Sequence, residues 1–324
     1  MKKICVIGGG RWGQNHIRTL FQLGSLGGIV EANPQRLQEL LNQYPVEGFT
    51  DLPAALEKKF DGFTIAAPAP LHYEIAKKIL EKGKSVLVEK PMTLSAETSK
   101  ELVEIAQKND AQLMVGHVLL FHPAIIKIKE LIDSGKIGQL YYLYSTRLNL
   151  GTVRTEENVF WSFAPHDISV LDYFVGQPAE HIESKGTKFL QQKVYDYTMT
   201  QLTYPNNIHA HIFVSWLHPF KEQRLVVIGS KGMISFDDSS AEKEIKFYDK
   251  HIEFEQGVPI KIENPTEIIP YEKGQPLTEE LKYFVENLDK KIEVADGQSG
   301  YEVVKVLEKA QELIDKSEHR FKEY

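Results

Sequence analysis

The sequence has a single cysteine, Cys5, so no disulfide can form within the chain, and a reducing compartment is the expected setting. It has no surplus of positive charge: 38 Lys and Arg stand against 45 Asp and Glu, a formal charge of −7. A broad basic face for nucleic acid or for an anionic membrane is therefore not expected. No run of 18 apolar residues occurs, and the apolar stretch behind Met1-Lys2-Lys3, from Ile4 to Ile7, is too short for a signal-peptide core or a membrane span. Repeats, low-complexity tracts and long blocks of like charge are also missing. These absences point to a cytoplasmic globular protein. What is present is a core: 324 residues, 42% of them hydrophobic, suit two domains better than one.

The first part of the chain alternates strand and helix patterns. Ile4 to Ile7 reads as a buried strand, followed by helical spacing through Ile17, Leu20, Phe21 and Leu23. Gly28 to Glu31, Phe63 to Ala67, Ser85 to Val88 and Gln112 to Val115 read as further strands. Between them, Asp51 caps a helix with Pro53 in its first turn, a second helix runs from about Leu71 to Lys82 and stops at Gly83, and Ser95 caps a third that reaches Lys108. Strands separated by helices pair in parallel, so residues 1–120 are expected to form a doubly wound parallel sheet of the Rossmann kind.

The pattern changes after about residue 120. Tyr141 to Arg147, Lys193 to Tyr204, Ile208 to Trp216, Arg224 to Gly229 and Met233 to Asp237 read as strands joined by tight turns at Pro205-Asn206-Asn207 and Ser230-Lys231-Gly232. Residues 121–324 are therefore expected to form an α+β domain with a largely antiparallel open sheet, and the helices over 277–316 are expected to pack back on the body. Ile212, Val214 and Trp216 are expected on an exposed face of that sheet which needs covering.

Gly8-Gly9-Gly10-Arg11-Trp12-Gly13 matches G-x-G-x-x-G between a strand and a helix, the context that a dinucleotide site requires. Gly8 permits the tight turn, Gly10 lets backbone approach a pyrophosphate, and Gly13 lets helix and strand pack closely. Glu31, at the end of the second strand, is placed to accept the ribose hydroxyls and to repel a 2′-phosphate, which favours NAD over NADP. Arg11 and Trp12 complete the expected turn.

Three further segments follow strands: Ala67-Pro68-Ala69-Pro70-Leu71-His72, Glu89-Lys90-Pro91, and Gly116-His117 leading to Phe121-His122-Pro123-Ala124. With the glycine turn, they make the chain resemble the glucose–fructose oxidoreductase/inositol dehydrogenase/MocA family over essentially its whole length. The resemblance implies a pyridine-nucleotide sugar or polyol oxidoreductase. It also implies that Pro68, His72, Glu89 and Lys90 lie at the cofactor, and that Lys90 is catalytic. Lys90 ends a strand of an open α/β sheet, where ligands bind, and an ammonium there can hydrogen-bond the reacting hydroxyl or, if depressed by burial, take its proton. Pro91 is expected to fix the turn.

Much of the family has Asp-x-Gly-x-His where this chain has Ser162-Phe163-Ala164-Pro165-His166. The histidine is kept and the carboxylate is not, so the acid–base work is expected to fall on His166 with Lys90. The polar stretch from Arg147 through Asn149 and Arg154 to Asn158 has the composition of a sugar or pyrophosphate site, and His117, Ser162 and His166 are expected to join it. The whole 147–169 stretch resembles the subgroup that oxidises carbon 3 of UDP-N-acetylglucosamine ahead of transamination for lipopolysaccharide or lipid A. The alternatives are the corresponding uronate, a polyol or inositol, a biliverdin-like or imine substrate, and a non-enzymatic NAD-binding sensor. No metal is expected, since no His, Cys, Asp and Glu set has ligand spacing. The expected partners are the nucleotide sugar, a downstream aminotransferase, and a second or further copies of the chain through the C-terminal sheet.

Overall fold

The computed structural model describes residues 2–321, with side chains through Ser317. Two compact units form. One runs to Phe121 and takes back Gln275–Lys305; the other holds His122–Gly274 and the chain from Val306. The helical stretch 277–316 is thus shared between them.

In the first unit, strands β1 (Ile4–Ile7), β2 (Leu26–Val30), β3 (Glu47–Phe49), β4 (Gly62–Ile65), β5 (Ser85–Glu89) and β6 (Leu113–Gly116) form a parallel sheet in the order β3-β2-β1-β4-β5-β6. β1, β4, β5 and β6 are buried at every position, as expected of strands covered on both faces. The intervening helices are α1 (Arg11–Gln22), α2 (Pro34–Gln43), α3 (Leu52–Leu56), α4 (His72–Glu81) and α5 (Ala96–Lys108). Their starts follow from capping chemistry: Asn33 accepts from Gln35 and Arg36, Asp51 from Ala54, and Ser95 from Thr98. The short β3 and the helix α2 escaped the apolar-pattern reading. β3 has only three residues, none of them buried; α2 was signalled by the Asn33-Pro34 pair.

In the second unit, α6 (Pro123–Asp133) precedes β7 (Leu140–Leu148), α7 (Val159–Val175), β8 (His181–Thr187), β9 (Tyr197–Tyr204), β10 (Ile208–Ser215), β11 (Glu222–Gly229), β12 (Met233–Asp237) and β13 (Ile245–Tyr248). A separate ribbon, β14 (Lys250–Glu255) with β15 (Val258–Glu263), leads to β16 (Glu267–Ile269). The main sheet runs β16-β13-β12-β11-β7-β10-β9-β8. Its neighbours are antiparallel apart from β7 and β10, which pair in parallel. The β9–β10 turn holds Asn206 and Asn207 at φ of 61° and 58°, a left-handed conformation that asparagine tolerates.

The two faces of this sheet are the reverse of the sequence expectation. Ile212, Val214 and Trp216 are fully buried. Ala210, Ile212 and Val214 point to the covered side, where α7 packs on β10, and His209, His211 and Phe213 alternate to the other. The open face is instead aromatic and polar: Tyr142 is exposed, and Tyr144 stacks on His211 at 5.0 Å between ring centres.

The remaining helices are α8 (Pro276–Glu286) and α9 (Gly297–Phe321). α8 packs on α1 and on the turn Val118–Phe121. The chain after it is tied beside β6, because the Val115 N–H donates to the Ala295 carbonyl and Met114 bridges to Asp296.

Candidate active site

The glycine turn occupies the β1–α1 junction. Gly8 has φ of +97°, and a side-chain carbon there would lie 2.8 Å from the Ala66 carbonyl oxygen. At Gly13 the added carbon would come within 1.9 Å of the Gly8 carbonyl oxygen, so the helix sits on the turn with no room for a methyl group. At Gly10 it would meet no atom within 4 Å. Gly10 is also the N-cap of a 12-residue helix and provides no side-chain cap. Open space over uncapped N–H groups at a positive helix end suits a pyrophosphate. Glu31 stands just past β2, buried, with Oε2 accepting the Gly9 N–H at 2.8 Å and Oε1 accepting the Asn33 N–H at 2.9 Å. A carboxylate has about four acceptor sites, so capacity for ribose hydroxyls remains. These residues fit NAD: Gly8 to Gly13 would hold the pyrophosphate, and Glu31 the ribose.

The next elements present Lys90. It follows β5, is half-buried, and is joined to Pro91 by a cis peptide bond. His72 buttresses this turn: its Nδ1 lies 2.9 Å from the Pro91 carbonyl and its Nε2 lies 2.8 Å from the Ala67 carbonyl. The ring is thereby committed to backbone on both sides, a role the sequence did not assign to it.

Glu89 is also engaged within the protein. Its buried carboxylate accepts from Trp12 Nε1 at 2.5 Å and from His16 Nε2 at 2.8 Å. Burial favours its proton, but the bond and charge of His16, then Trp12 and Lys90, hold its pKa below the ordinary range. Sequence reasoning missed His16. Its position, three residues after Gly13 on the buried side of α1, was the available signal.

His117 follows β6, 1% exposed, with neither ring nitrogen hydrogen-bonded within the protein. Burial holds its pKa down to about 4, against the raising effect of Glu89 and with the help of Lys90. It is therefore neutral at pH 7. Glu280, on α8, is fully buried and also lacks a hydrogen-bond partner; burial, then the charge of Glu89, pushes its pKa well up.

In the second unit, Ser162 and His166 lie four residues apart on α7 and share a face, Ser162 buried and His166 half-buried. Asp167 turns away from His166 toward β7. It receives Arg147 Nε and Nη2, each at 3.0 Å, and Ser145 Oγ at 2.6 Å. Arg147 was expected to meet substrate; its guanidinium fork instead anchors α7 to the sheet. Burial opposes its charge, but the carboxylates of Asp167 and Asp238 raise its pKa further. Asn149 donates its N–H to the Ser215 carbonyl, and its Oδ1 is buried without a partner. Arg154 is exposed and pairs with Glu157 at 3.1 Å.

A parallel sheet with a glycine turn, an acidic residue after the second strand and a lysine at a strand end defines a dinucleotide-dependent oxidoreductase. Residues 2–117 match the family model described as "Oxidoreductase family, NAD-binding Rossmann fold", and residues 125–235 match the "GFO/IDH/MocA C-terminal domain". The chain belongs to this family of NAD-dependent oxidoreductases. An uncharacterized oxidoreductase of Bacillus subtilis is 26% identical over 72% of this chain and 73% of its own. UDP-N-acetylglucosamine 3-dehydrogenase of Acidithiobacillus ferrooxidans is 26% identical over 65% of this chain and 66% of its own. The solved structure of that dehydrogenase superposes with a TM-score of 0.84 at 22% identity, covering 96% of this chain and 97% of the other. No described helix is long and apolar enough to cross a membrane.

Proposed function

We propose that the protein oxidises the 3-hydroxyl of a nucleotide sugar, UDP-N-acetylglucosamine, to the 3-keto sugar. The observation that carries this reading is the combination of the Lys90 turn with similarity to UDP-N-acetylglucosamine 3-dehydrogenase over 65% of the chain. NAD, when bound, supplies the hydride acceptor. Lys90 holds the 3-hydroxyl and takes its proton as the carbon gives up hydride, and His166 is the second candidate for that proton. Ser162 contributes a hydroxyl where much of the family has a carboxylate. Arg154 is assigned to the pyrophosphate, exchanging its exposed pair with Glu157 for a bidentate phosphate contact. An aminotransferase is the expected consumer of the ketone. The open aromatic face of the sheet is assigned to a second copy of the chain.

The test is NADH absorbance with UDP-N-acetylglucosamine and with its uronate, coupled to a ketone trap or an aminotransferase because sugar oxidation runs uphill. Signal with the first sugar supports the reading, and signal with the uronate alone moves the substrate. Silence with both, while NAD binds, returns the protein to the polyol and sensor readings. Lys90→Met should lower kcat by roughly 10²- to 10⁴-fold; full activity would remove Lys90 from the mechanism.

A further inference from the structure

Behind Lys90 lies a buried web that the reaction as written does not use. Glu89, the last residue of β5, is 7% exposed. Three N–H groups converge on it: Trp12 Nε1 and His16 Nε2 on Oε1, and the backbone N–H of Lys90 on Oε2 at 3.2 Å. Because a carboxylate only accepts, His16 carries its proton on Nε2. The space comes from the neighbouring strand: a side-chain carbon at Gly116, which pairs with Glu89, would lie 2.9 Å from the carboxylate.

The ionisable groups facing this carboxylate are His16 from α1, Lys90 beside it, His117 after β6 and Glu280 from α8. Two buried carboxyls near each other do not both ionise readily. Glu89 has three donors and Glu280 has none. The web therefore keeps its charge on Glu89 and its proton on Glu280. Trp12 and His16 belong to the helix that opens at the glycine turn, so the element beneath the pyrophosphate site is fastened to the residue preceding the lysine.

We propose that Glu89 is a positioning residue: its carboxylate, gripped by Trp12 and His16, fixes the strand end that presents Lys90 and keeps one negative charge beside the lysine. The inference rests on the reading of Lys90 as the proton-handling group. It gives Glu89, His16 and Trp12 a role through Lys90.

The test is Glu89→Gln in the full chain, with kcat, the KM for NAD and the pH profile measured together. A neutral amide cannot accept from all three donors. The expected result is a fall in kcat of up to roughly 100-fold, the cost of misplacing a reacting group by about an ångström, with the KM for NAD little changed. The pH limb that Lys90→Met abolishes should move toward acid, because removing the anion disfavours the lysine's charge. His16→Leu should reproduce the loss and His16→Gln, which keeps a donor, should restore most of it; this pair also serves if Glu89→Gln does not fold. A wild-type kcat and an unmoved limb in Glu89→Gln, with Lys90→Met inactive, would overturn the inference alone. A fully active Lys90→Met would overturn the reading beneath it.

Discussion

The two units differ in how some of their buried ionisable groups are partnered. Near the end of the parallel sheet, His117 and Glu280 have no hydrogen bond within the protein, and burial pushes the pKa of each toward its uncharged form, down for His117 and up for Glu280. Beneath the mixed sheet, Asp167 is buried and Arg147 is largely so, and the fork of one closes on the carboxylate of the other, with Ser145 adding a third donor. An isolated ionisable group deep in a protein avoids the desolvation cost by giving up its charge, whereas a partnered one can keep it. The first arrangement suits a region that handles protons; the second suits a joint between a helix and a sheet.

Three experiments press on this contrast. The largest effect is expected from Arg147→Met, which leaves Asp167 buried without its partner and should cost about 3–5 kcal/mol. Adding Asp167→Leu should recover most of that. Urea denaturation reads both; a single-variant cost under about 1 kcal/mol would mean the pair is not the joint described.

His117 comes next. Its folded pKa of about 4 lies below the value of about 6.5 for an exposed ring. Between those values the unfolded chain binds more protons. The contribution is therefore complete above about pH 6.5 and lost as pH falls toward 4, some 3 kcal/mol over the window. His117→Leu should flatten the stability profile there, and a variant profile parallel to the wild type would contradict the burial of a neutral ring.

The remaining effect is at Glu280, and its sign is reversed. Its folded pKa is raised, so the folded state keeps a proton that the unfolded chain loses, and stability falls as pH rises above the ordinary carboxyl range. Glu280→Gln should raise the Tm more at pH 8 than at pH 4.5. An equal shift at both would show that the carboxyl is not neutral in the fold.

Much of the architecture was legible in the sequence because strands buried on both faces write themselves as apolar runs, as Phe63 to Ile65 and Ser85 to Val88 do. The capped helices at Asp51 and Ser95 were legible from single residues. Which face of the second sheet is covered was not. Ile212 and Val214 alternate with His211 and Phe213, and both sets are large enough to fill a core, so only the position of α7 decides between them. Strand β8 was missed for a related reason: seven residues rich in Glu, Ser and Lys lack an apolar run, and their pairing with β9 holds them extended. At the candidate site, the glycine turn and Glu31 were proposed from spacing, and Lys90 from the family resemblance. The commitments of Glu89 to His16, of His72 to the carbonyls of Ala67 and Pro91 and of Arg147 to Asp167 join residues 5 to 73 positions apart, and no local pattern encodes them.

Glu31 carries a consequence for anyone wishing to redirect the enzyme to the phosphorylated dinucleotide. The usual alteration replaces the acidic residue after the second strand with something smaller or basic. Here that carboxylate also receives the N–H groups of Gly9 and Asn33, and so secures the glycine turn and the entry to α2. A substitution that discards both oxygens loosens the turn, whatever it does for a bound ribose. Redesign of cofactor choice in this scaffold therefore has to keep an acceptor at position 31 and recruit its cation elsewhere, with Arg36, 3.7 Å from Glu31, already within reach.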